Sequence, residues 1–186
     1  MRLSVFSKSL NCKINKIISF SSITILLISF TFIFQQNALG QTIMKAGLNV
    51  GEPAPNFSFI DPERGKIVKE NFIGKPLFIF FTTTWCTPCQ IGAQNLAKFD
   101  AEKGDNALNV LIVFVDEKET DNQFIEWKQK FGREDWYIGK GIEMAKKYNV
   151  QFLDTKYIFD KNGMIKWIDI KPLEYSTISP ILSPLI

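Results

Sequence analysis

The sequence predicts an α/β fold in which helices cover both faces of a mixed central sheet. Two runs, residues 76–82 and 109–115, are apolar almost throughout, as is typical of strands buried on both faces. A segment with apolar residues at helical spacing follows each run. Hairpin signals stand before the first run and after the helices, so the sheet should contain antiparallel as well as parallel strands.

The predicted elements follow one another as a hairpin, a strand, a helix, a strand, two helices and a second hairpin. Residues 61–65 form the turn of the first hairpin, and Lys161-Asn162-Gly163 is a strong signal for the second. Gly104 ends the first helix. Thr120 and Gln123 form a capping-box pattern before the second helix. The prolines of the last seven residues limit any final helix to a turn or two. The predicted strands are residues 57–60, 67–69, 76–82, 109–115, 156–160 and 164–169, and the predicted helices are residues 87–103, 121–131 and 142–148.

The first forty residues differ in composition from the rest of the chain. Residues 1–40 hold four basic residues and no acidic one, and the stretch 17–34 is uncharged and mostly apolar. This pattern predicts either a retained N-terminal membrane anchor or a signal peptide cleaved after about Gly40. A buried core helix is a third interpretation, although the stretch lacks the polar stripe of such a helix. In both exported cases the following domain faces outward, anchored in the cell membrane or secreted.

The remaining chain is predicted to be a linker at residues 41–49 and a folded domain at residues 50–186. Removing the four basic residues of the N-terminal segment leaves 18 Lys and Arg against 19 Asp and Glu, a charge of 18 − 19 = −1. A domain so close to neutral does not favour nucleic acid as a partner.

Two cysteines of the predicted domain, Cys86 and Cys89, are separated by two residues. In an oxidising compartment such a pair forms a disulfide by default, but the loop that it closes is too short to stabilise a fold by much. A bridge with so little structural use favours a redox role. Cys12 precedes the apolar stretch and is not placed as a lipoprotein cysteine, so we interpret it as incidental.

The cysteine pair stands where the first buried strand gives way to its helix, the edge at which ligands bind in open α/β sheets. At a helix N-terminus Cys86 meets unpaired backbone N–H groups that favour its thiolate, and Cys89 lies one turn inside. Pro88 suits the first turn, where its missing N–H is no loss. We therefore predict that Cys86 is the exposed nucleophile and Cys89 the resolving thiol, and that no cofactor takes part.

A zinc site and a purely structural bridge are the alternatives to redox chemistry. The chain has no histidine, and the predicted domain has no third cysteine. The usual zinc or copper ligand set cannot be completed from these residues, so we expect no metal.

Four stretches of the domain resemble the TlpA/ResA branch of the thioredoxin-like superfamily, which is related to the redoxins and the AhpC/TSA proteins. The likeness covers about residues 50–170, and the stretches are Gly51–Phe57, Gly74–Pro76, Trp85–Cys89 and Tyr148–Ile165. The resemblance implies a thioredoxin-like fold with a helical insertion at about residues 117–148. It also implies reversible reduction of protein disulfides outside the cytoplasm, with a membrane electron carrier as the donor. Trp85, Thr87 and Pro88 would then support the two cysteines, with Trp85 serving as both lid and packing residue.

Three positions depart from the family pattern. Asp154, before Thr155, takes the position of a cis-proline that presents backbone to the substrate, so the substrate groove should differ. Because a cis bond without proline costs about 2.5–4 kcal/mol, we expect a trans peptide there. Gly92 replaces a frequent Glu, and Gln94 replaces a proline that kinks the helix. Gly92 is then either the cause of any helix bend or a packing choice.

The missing glutamate leads to a hypothesis about Asp154. Its carboxylate would face the sulfurs, take over the acid–base task and raise the pKa of Cys86 by like-charge repulsion. The alternative is an aspartate that caps a loop turn.

Three other functions are alternatives to disulfide exchange. A peroxiredoxin-like peroxidase is suggested by Thr83, three residues before Cys86, but Ile79 replaces that family's proline and no arginine stands at the expected spacing. A copper-delivery protein of the Sco kind needs a histidine ligand, which the chain lacks. A redox-inert binding module would use the groove beside Asp154. The family likeness favours a reductant.

Overall fold

The computed structural model describes residues 48–104 and 107–186. The predicted anchor or signal peptide, most of the predicted linker and Cys12 lie outside the described residues. Within the described part of the chain, no helix combines the length and apolar character needed to cross a bilayer.

All the predicted strands and helices occur in the predicted order, and their ends lie within two residues of the predicted bounds. The elements are β1 (Ser58–Asp61), β2 (Gly65–Val68), a short 3₁₀ helix (Lys69–Phe72), β3 (Leu77–Thr82), α1 (Thr87–Lys103), β4 (Asn109–Phe114), α2 (Asp121–Phe131), β5 (Tyr137–Lys140), α3 (Ile142–Lys147), β6 (Thr155–Phe159), β7 (Ile165–Asp169) and α4 (Tyr175–Leu182). The capping box of Thr120 and Gln123 begins α2, and Gly104 ends α1 with a φ of 88°.

The strands of the described residues form one seven-stranded sheet in the order β2-β1-β5-β4-β3-β6-β7. Strand β3 pairs parallel with β4 and antiparallel with β6, and β4 pairs parallel with β5. The expected mixed sheet is therefore confirmed. The strand that leads into the cysteine pair lies inside the sheet, with a neighbour on each side.

The segment predicted as a helical insertion, residues 117–148, is not purely helical. It contains α2 and α3, but between them β5 extends the sheet and pairs with β4 and β1. No clear strand pattern marks β5 in the sequence, because it is four residues long and contains Gly139. Through β5 the insertion connects the first hairpin to the parallel part of the sheet.

Alternate residues of β3 point into two separate core layers, as the pleat of a strand requires. Phe78 and Phe80 join a layer under α1, α2 and α4 that also contains Cys86 and Cys89. Ile79 and Phe81 join the opposite layer, with α3 and the first hairpin. Each buried phenylalanine contributes about 1.5–3 kcal/mol, so β3 is a rigid base for the loop that follows it.

The C-terminal segment adds a helix to the layer that holds the cysteines. Helix α4 is about two turns long and contains Pro180, within the limit expected from the sequence. Its Ile178 and Leu182 are buried in that layer, as is Leu173 just before the helix. The chain after β7 therefore packs against α1.

Candidate active site

Cys86 and Cys89 are joined by a disulfide at the start of α1, with their Cα atoms 5.3 Å apart. Cys86 is the N-cap residue of the helix, and Cys89 lies in its first turn. Cys86 keeps 8% of its surface exposed, whereas Cys89 keeps 0%. Cys86 is thus less exposed than the sequence predicts, but it is the more accessible of the two cysteines, which is the order expected for a nucleophile and a resolving thiol.

Backbone geometry fixes Cys86 between the strand and the helix. The N–H of Cys86 donates to the carbonyl of Thr83 at 3.4 Å, and its own carbonyl accepts from the N–H of Gln90 at 3.0 Å. Thr87 and Pro88 are the first two residues of the helix, where backbone N–H groups have no intrahelical partner. These free N–H groups and the positive end of the helix dipole favour negative charge on the Cys86 sulfur.

Trp85, the residue before Cys86, is mostly exposed, with 61% of its surface accessible to solvent. Its indole N–H donates to the Asp116 carboxylate at 3.1 Å. The backbone N–H of Lys118 and then this indole lower the pKa of Asp116 below its ordinary value. The ring is thereby held at the edge of the site, although it is not packed into the core.

A groove of about 510 Å³ reaches Trp85, the residue before Cys86, and Thr83 and Leu153 are also among its lining residues. A second groove of about 300 Å³ is lined by Ile142, Phe152 and, again, Leu153. Because Leu153 lines both, the two grooves adjoin. Leu153, two residues before β6, thus forms a wall that the two grooves share.

Glu119 is a residue of the site that the sequence analysis did not single out. Its buried carboxylate accepts hydrogen bonds from the backbone N–H of Thr84 at 2.5 Å and from the Thr84 hydroxyl at 2.6 Å. The carbonyl of Thr84 accepts from the side chain of Gln90 at 2.7 Å. Glu119 therefore anchors the loop two residues before Cys86. No local pattern marks it, because the contact joins residues that are far apart in the chain.

The Asp154 carboxylate has a charged partner that the sequence did not indicate. Its Oδ1 accepts from the ammonium of Lys156 at 2.7 Å, so the carboxylate belongs to a buried ion pair and its repulsion of a thiolate is offset. Burial raises the pKa of Asp154, and burial lowers the pKa of Lys156. The peptide bond before Asp154 is trans, as expected. Asp154 adopts a φ of 66°, a region that aspartate tolerates better than most residues.

Thr155 and Gly92 also have defined surroundings. The Thr155 hydroxyl donates to the carbonyl of Phe152 at 2.7 Å and closes the turn that contains Asp154. A Cβ built on Gly92 would lie 3.1 Å from the Cβ of Leu173. Packing against Leu173 therefore explains this glycine, whereas Gln94 is exposed on α1. Among the described residues, no group of three or more His, Cys, Asp or Glu could hold a metal ion.

Comparisons with known proteins agree with this architecture. A model described as the AhpC/TSA family matches residues 50–168. The thiol-disulfide oxidoreductase ResA of Bacillus thuringiensis subsp. konkukian is 30% identical over 120 residues, which are 63% of this chain and 68% of that protein. The thioredoxin-like protein YneN of Bacillus subtilis is 28% identical over 136 residues, 71% of this chain and 79% of that protein.

A solved structure shows the same fold at lower identity. The crystal structure of a thiol:disulfide interchange protein of the thioredoxin family from Chlorobium tepidum has a TM-score of 0.62 and 16% identity, covering 72% of this chain and 94% of that one. The likeness confirms the thioredoxin-like fold. The chain therefore belongs to the AhpC/TSA family and is a thioredoxin-like thiol:disulfide oxidoreductase.

Proposed function

We propose that the chain reduces disulfides of protein substrates outside the cytoplasm through Cys86 and Cys89. The observation that carries the proposal is the disulfide itself, which lies at a helix N-terminus with a slightly accessible Cys86 and a fully buried Cys89. A bridge between residues three apart adds little stability, and this one lies beside an open groove. Disulfide exchange with another polypeptide requires a bridge that opens easily and a surface on which the polypeptide can bind.

The reaction begins from the reduced pair. The Cys86 thiolate attacks one sulfur of the substrate disulfide, and the other substrate sulfur leaves as a thiolate that takes up a proton. Cys86 is then bound to the substrate in a mixed disulfide. Cys89 loses its proton and attacks the Cys86 sulfur, which releases the second substrate thiol. Two electrons have passed to the substrate, and the chain is left in the disulfide state that the structure shows.

The groove beside the disulfide supports a polypeptide substrate rather than a small thiol alone. Trp85 and Phe152 are large apolar side chains that are mostly exposed, at the two adjoining grooves. The charged residues Asp116, Glu117 and Lys118 line the same side. Such a surface offers apolar contacts with a polar rim, as sites for peptide segments do.

The location and the electron donor are also proposals. The uncharged stretch 17–34 behind a basic region supports export, either with a retained anchor or with cleavage. A chain used as a reductant must regain two electrons after each cycle. In an exported or anchored protein we propose a membrane-bound dithiol carrier as their source.

The equilibrium of the full-length chain with a series of glutathione buffers tests the direction of transfer. A reduction potential near that of thioredoxin, about −270 mV, supports a reductant. A potential near that of the oxidant DsbA, about −120 mV, contradicts that part of the proposal. Reduction of insulin disulfides, measured against a Cys86→Ser control, tests the exchange itself. Oxidation of Cys86 by hydrogen peroxide at a rate far above disulfide exchange would instead indicate a peroxidase.

A further inference from the structure

Lys156 places an ammonium group in the core layer that contains the cysteine pair. It lies on β6, where it pairs in register with Phe80 of β3, and 0% of its surface is exposed. Its Nζ stands 5.2 Å from the centre of the Phe80 ring. Phe80 belongs to the same buried cluster as Cys86 and Cys89. A charged side chain in this position needs a full set of partners, because an unpaired buried charge is costly.

The three N–H groups of this ammonium have three acceptors. Nζ donates to the Asp154 carboxylate at 2.7 Å, to the Asp154 carbonyl, and to the Lys171 carbonyl at 2.7 Å. An ammonium has three donors, so its hydrogen-bonding capacity is filled. Two of the three bonds end on the same residue. Lys156 therefore holds both the side chain and the backbone of Asp154.

The residue that Lys156 holds directly follows two residues that line the grooves, Phe152 and Leu153. Asp154 has a φ of 66°, a left-handed conformation that is less favourable for most L-residues than the usual negative φ. Leu153, next to it, lines the groove together with Trp85. The Thr155 hydroxyl closes the same turn through the carbonyl of Phe152. The turn Phe152–Thr155, here called the wall turn, is thus fixed from inside by a charge and a hydroxyl.

The third acceptor links the wall turn to the helix that carries the cysteines. Lys171 precedes Leu173 by two residues, and Leu173 fills the space over Gly92 of α1. The Leu173 carbonyl also accepts from the side chain of Asn95 on α1 at 2.9 Å. The ammonium of Lys156 therefore joins the wall turn to the segment that packs on α1. Lys156 therefore contacts two segments near the site: the wall turn, and the segment that leads to Leu173.

We propose that Lys156 is a positioning residue for polypeptide substrates, because its ammonium fixes the wall turn beside the cysteine pair. The proposal rests on the proposed function, in which a protein disulfide occupies the groove at Cys86. Lys156 does not touch the reacting sulfurs in this scheme. Its loss should therefore weaken the use of protein disulfides and leave exchange with a small disulfide, which needs no groove wall, nearly unchanged.

The test compares Lys156→Met in the full-length chain with Lys66→Met, the same substitution at an exposed position of β2. We expect the second-order rate constant for insulin disulfides to fall about tenfold in Lys156→Met, mainly through KM, and the rate with oxidised glutathione to change by less than about twofold. Lys66→Met should match the unsubstituted chain in both assays. Equal losses on both substrates, or no loss on insulin, would overturn the proposal.

A second variant keeps the test valid if the unpaired Asp154 carboxylate prevents folding. Asp154→Gly/Lys156→Met removes both charges and places at position 154 a residue that adopts positive φ freely. We expect amide hydrogens of the wall turn to exchange about tenfold faster in this variant than in Lys66→Met, with β3 amides unaffected. Unchanged exchange in the wall turn overturns the proposal. An unsubstituted chain that fails to react with either disulfide would contradict the proposed function, and amide exchange would still decide the role of Lys156.

Discussion

Gly92 of α1 faces Leu173 so closely that a Cβ at position 92 would lie 3.1 Å from the Leu173 Cβ. The position at which the TlpA/ResA pattern has a glutamate is therefore closed by the C-terminal segment. An acid–base group cannot be restored there without moving Leu173. The charged groups of Asp154 and Lys156, before and on β6, are paired with each other.

Gly92→Glu should destabilise the fold. The new side chain overpacks the contact with Leu173 and buries a carboxylate, so we expect the free energy of unfolding to fall by about 2–4 kcal/mol. Urea denaturation measures this change. Gln94→Glu, on the exposed side of the same helix, is the matched control and should stay within about 0.5 kcal/mol of the unsubstituted chain. Addition of Leu173→Ala should recover part of the loss, and an unchanged Gly92→Glu midpoint would contradict the packing argument.

The two cysteines should give different products when each is replaced by serine. In Cys89→Ser the Cys86 thiolate can attack a protein disulfide but cannot be displaced, so a mixed disulfide should accumulate. In Cys86→Ser insulin reduction should fall by about a hundredfold or more, because the nucleophile is absent. Non-reducing gels and the turbidity of reduced insulin report these outcomes. Mixed disulfide in Cys86→Ser would reverse the assigned roles.

Removal of the Glu119 carboxylate should loosen the loop before Cys86. Glu119→Ala removes two hydrogen bonds to Thr84, and we expect a loss of about 1–3 kcal/mol in the free energy of unfolding. Because the loop before Cys86 is looser, the rate at which iodoacetamide alkylates Cys86 in the reduced protein should rise. Glu119→Gln keeps an acceptor and should lose less. Glu117→Ala, two residues away and exposed, is the control, and an equal effect there would exclude a specific anchor.

Acid should weaken the turn between β6 and β7 through Asp160. Burial raises the pKa of Asp160, but hydrogen bonds from the N–H groups of Met164 and Asn162, with the ammonium of Lys166, lower the pKa below the ordinary value of 3.8. The unfolded chain then binds a proton at a higher pH than the folded one. The stabilisation is therefore complete above about pH 4 and is lost as the pH falls through the folded pKa.

Asp160→Asn isolates this contribution. At pH 7 we expect it to lower the free energy of unfolding by about 1 kcal/mol, because it loses the charge that attracts these donors. The difference from the unsubstituted chain should shrink as the pH is lowered below 3.8, which urea denaturation at several pH values can measure. A difference that stays constant down to pH 2 would contradict a role for the ionised carboxylate.

Local patterns predicted the elements that frame the site. The apolar run of β3, the helical spacing of α1 and the Asn-Gly turn between β6 and β7 each follow from contacts within a few residues. Strand β5 was missed because Gly139 interrupts a short segment. In the structure a Cβ at Gly139 would lie 2.5 Å from the Ile60 carbonyl oxygen, so the close approach of β1 requires glycine in this strand.

The charged residues around the site could not be predicted in the same way. A lysine near a strand end, such as Lys156, is usually exposed to solvent. Its burial here is possible only because Asp154 and the Lys171 carbonyl accept hydrogen bonds from its ammonium. Glu119 precedes a helix cap, where an acidic residue is common, yet its partner Thr84 lies thirty-five residues away in the chain. Both depend on contacts that form only when the sheet has been assembled.

The outermost strands of the sheet, β2 and β7, are those whose backbones could pair with another polypeptide. Strand β2 is four residues long and carries Lys66, and β7 carries Lys166. The start of β7 is already occupied, because the N–H of Gly51 donates to the Ile165 carbonyl and the N–H of Ile165 donates to the Glu52 carbonyl. Edge strands that are short, charged or covered present few free backbone groups for pairing with another chain. The sheet can thus present the exchange site to a polypeptide while its own edges leave few backbone groups for unintended pairing.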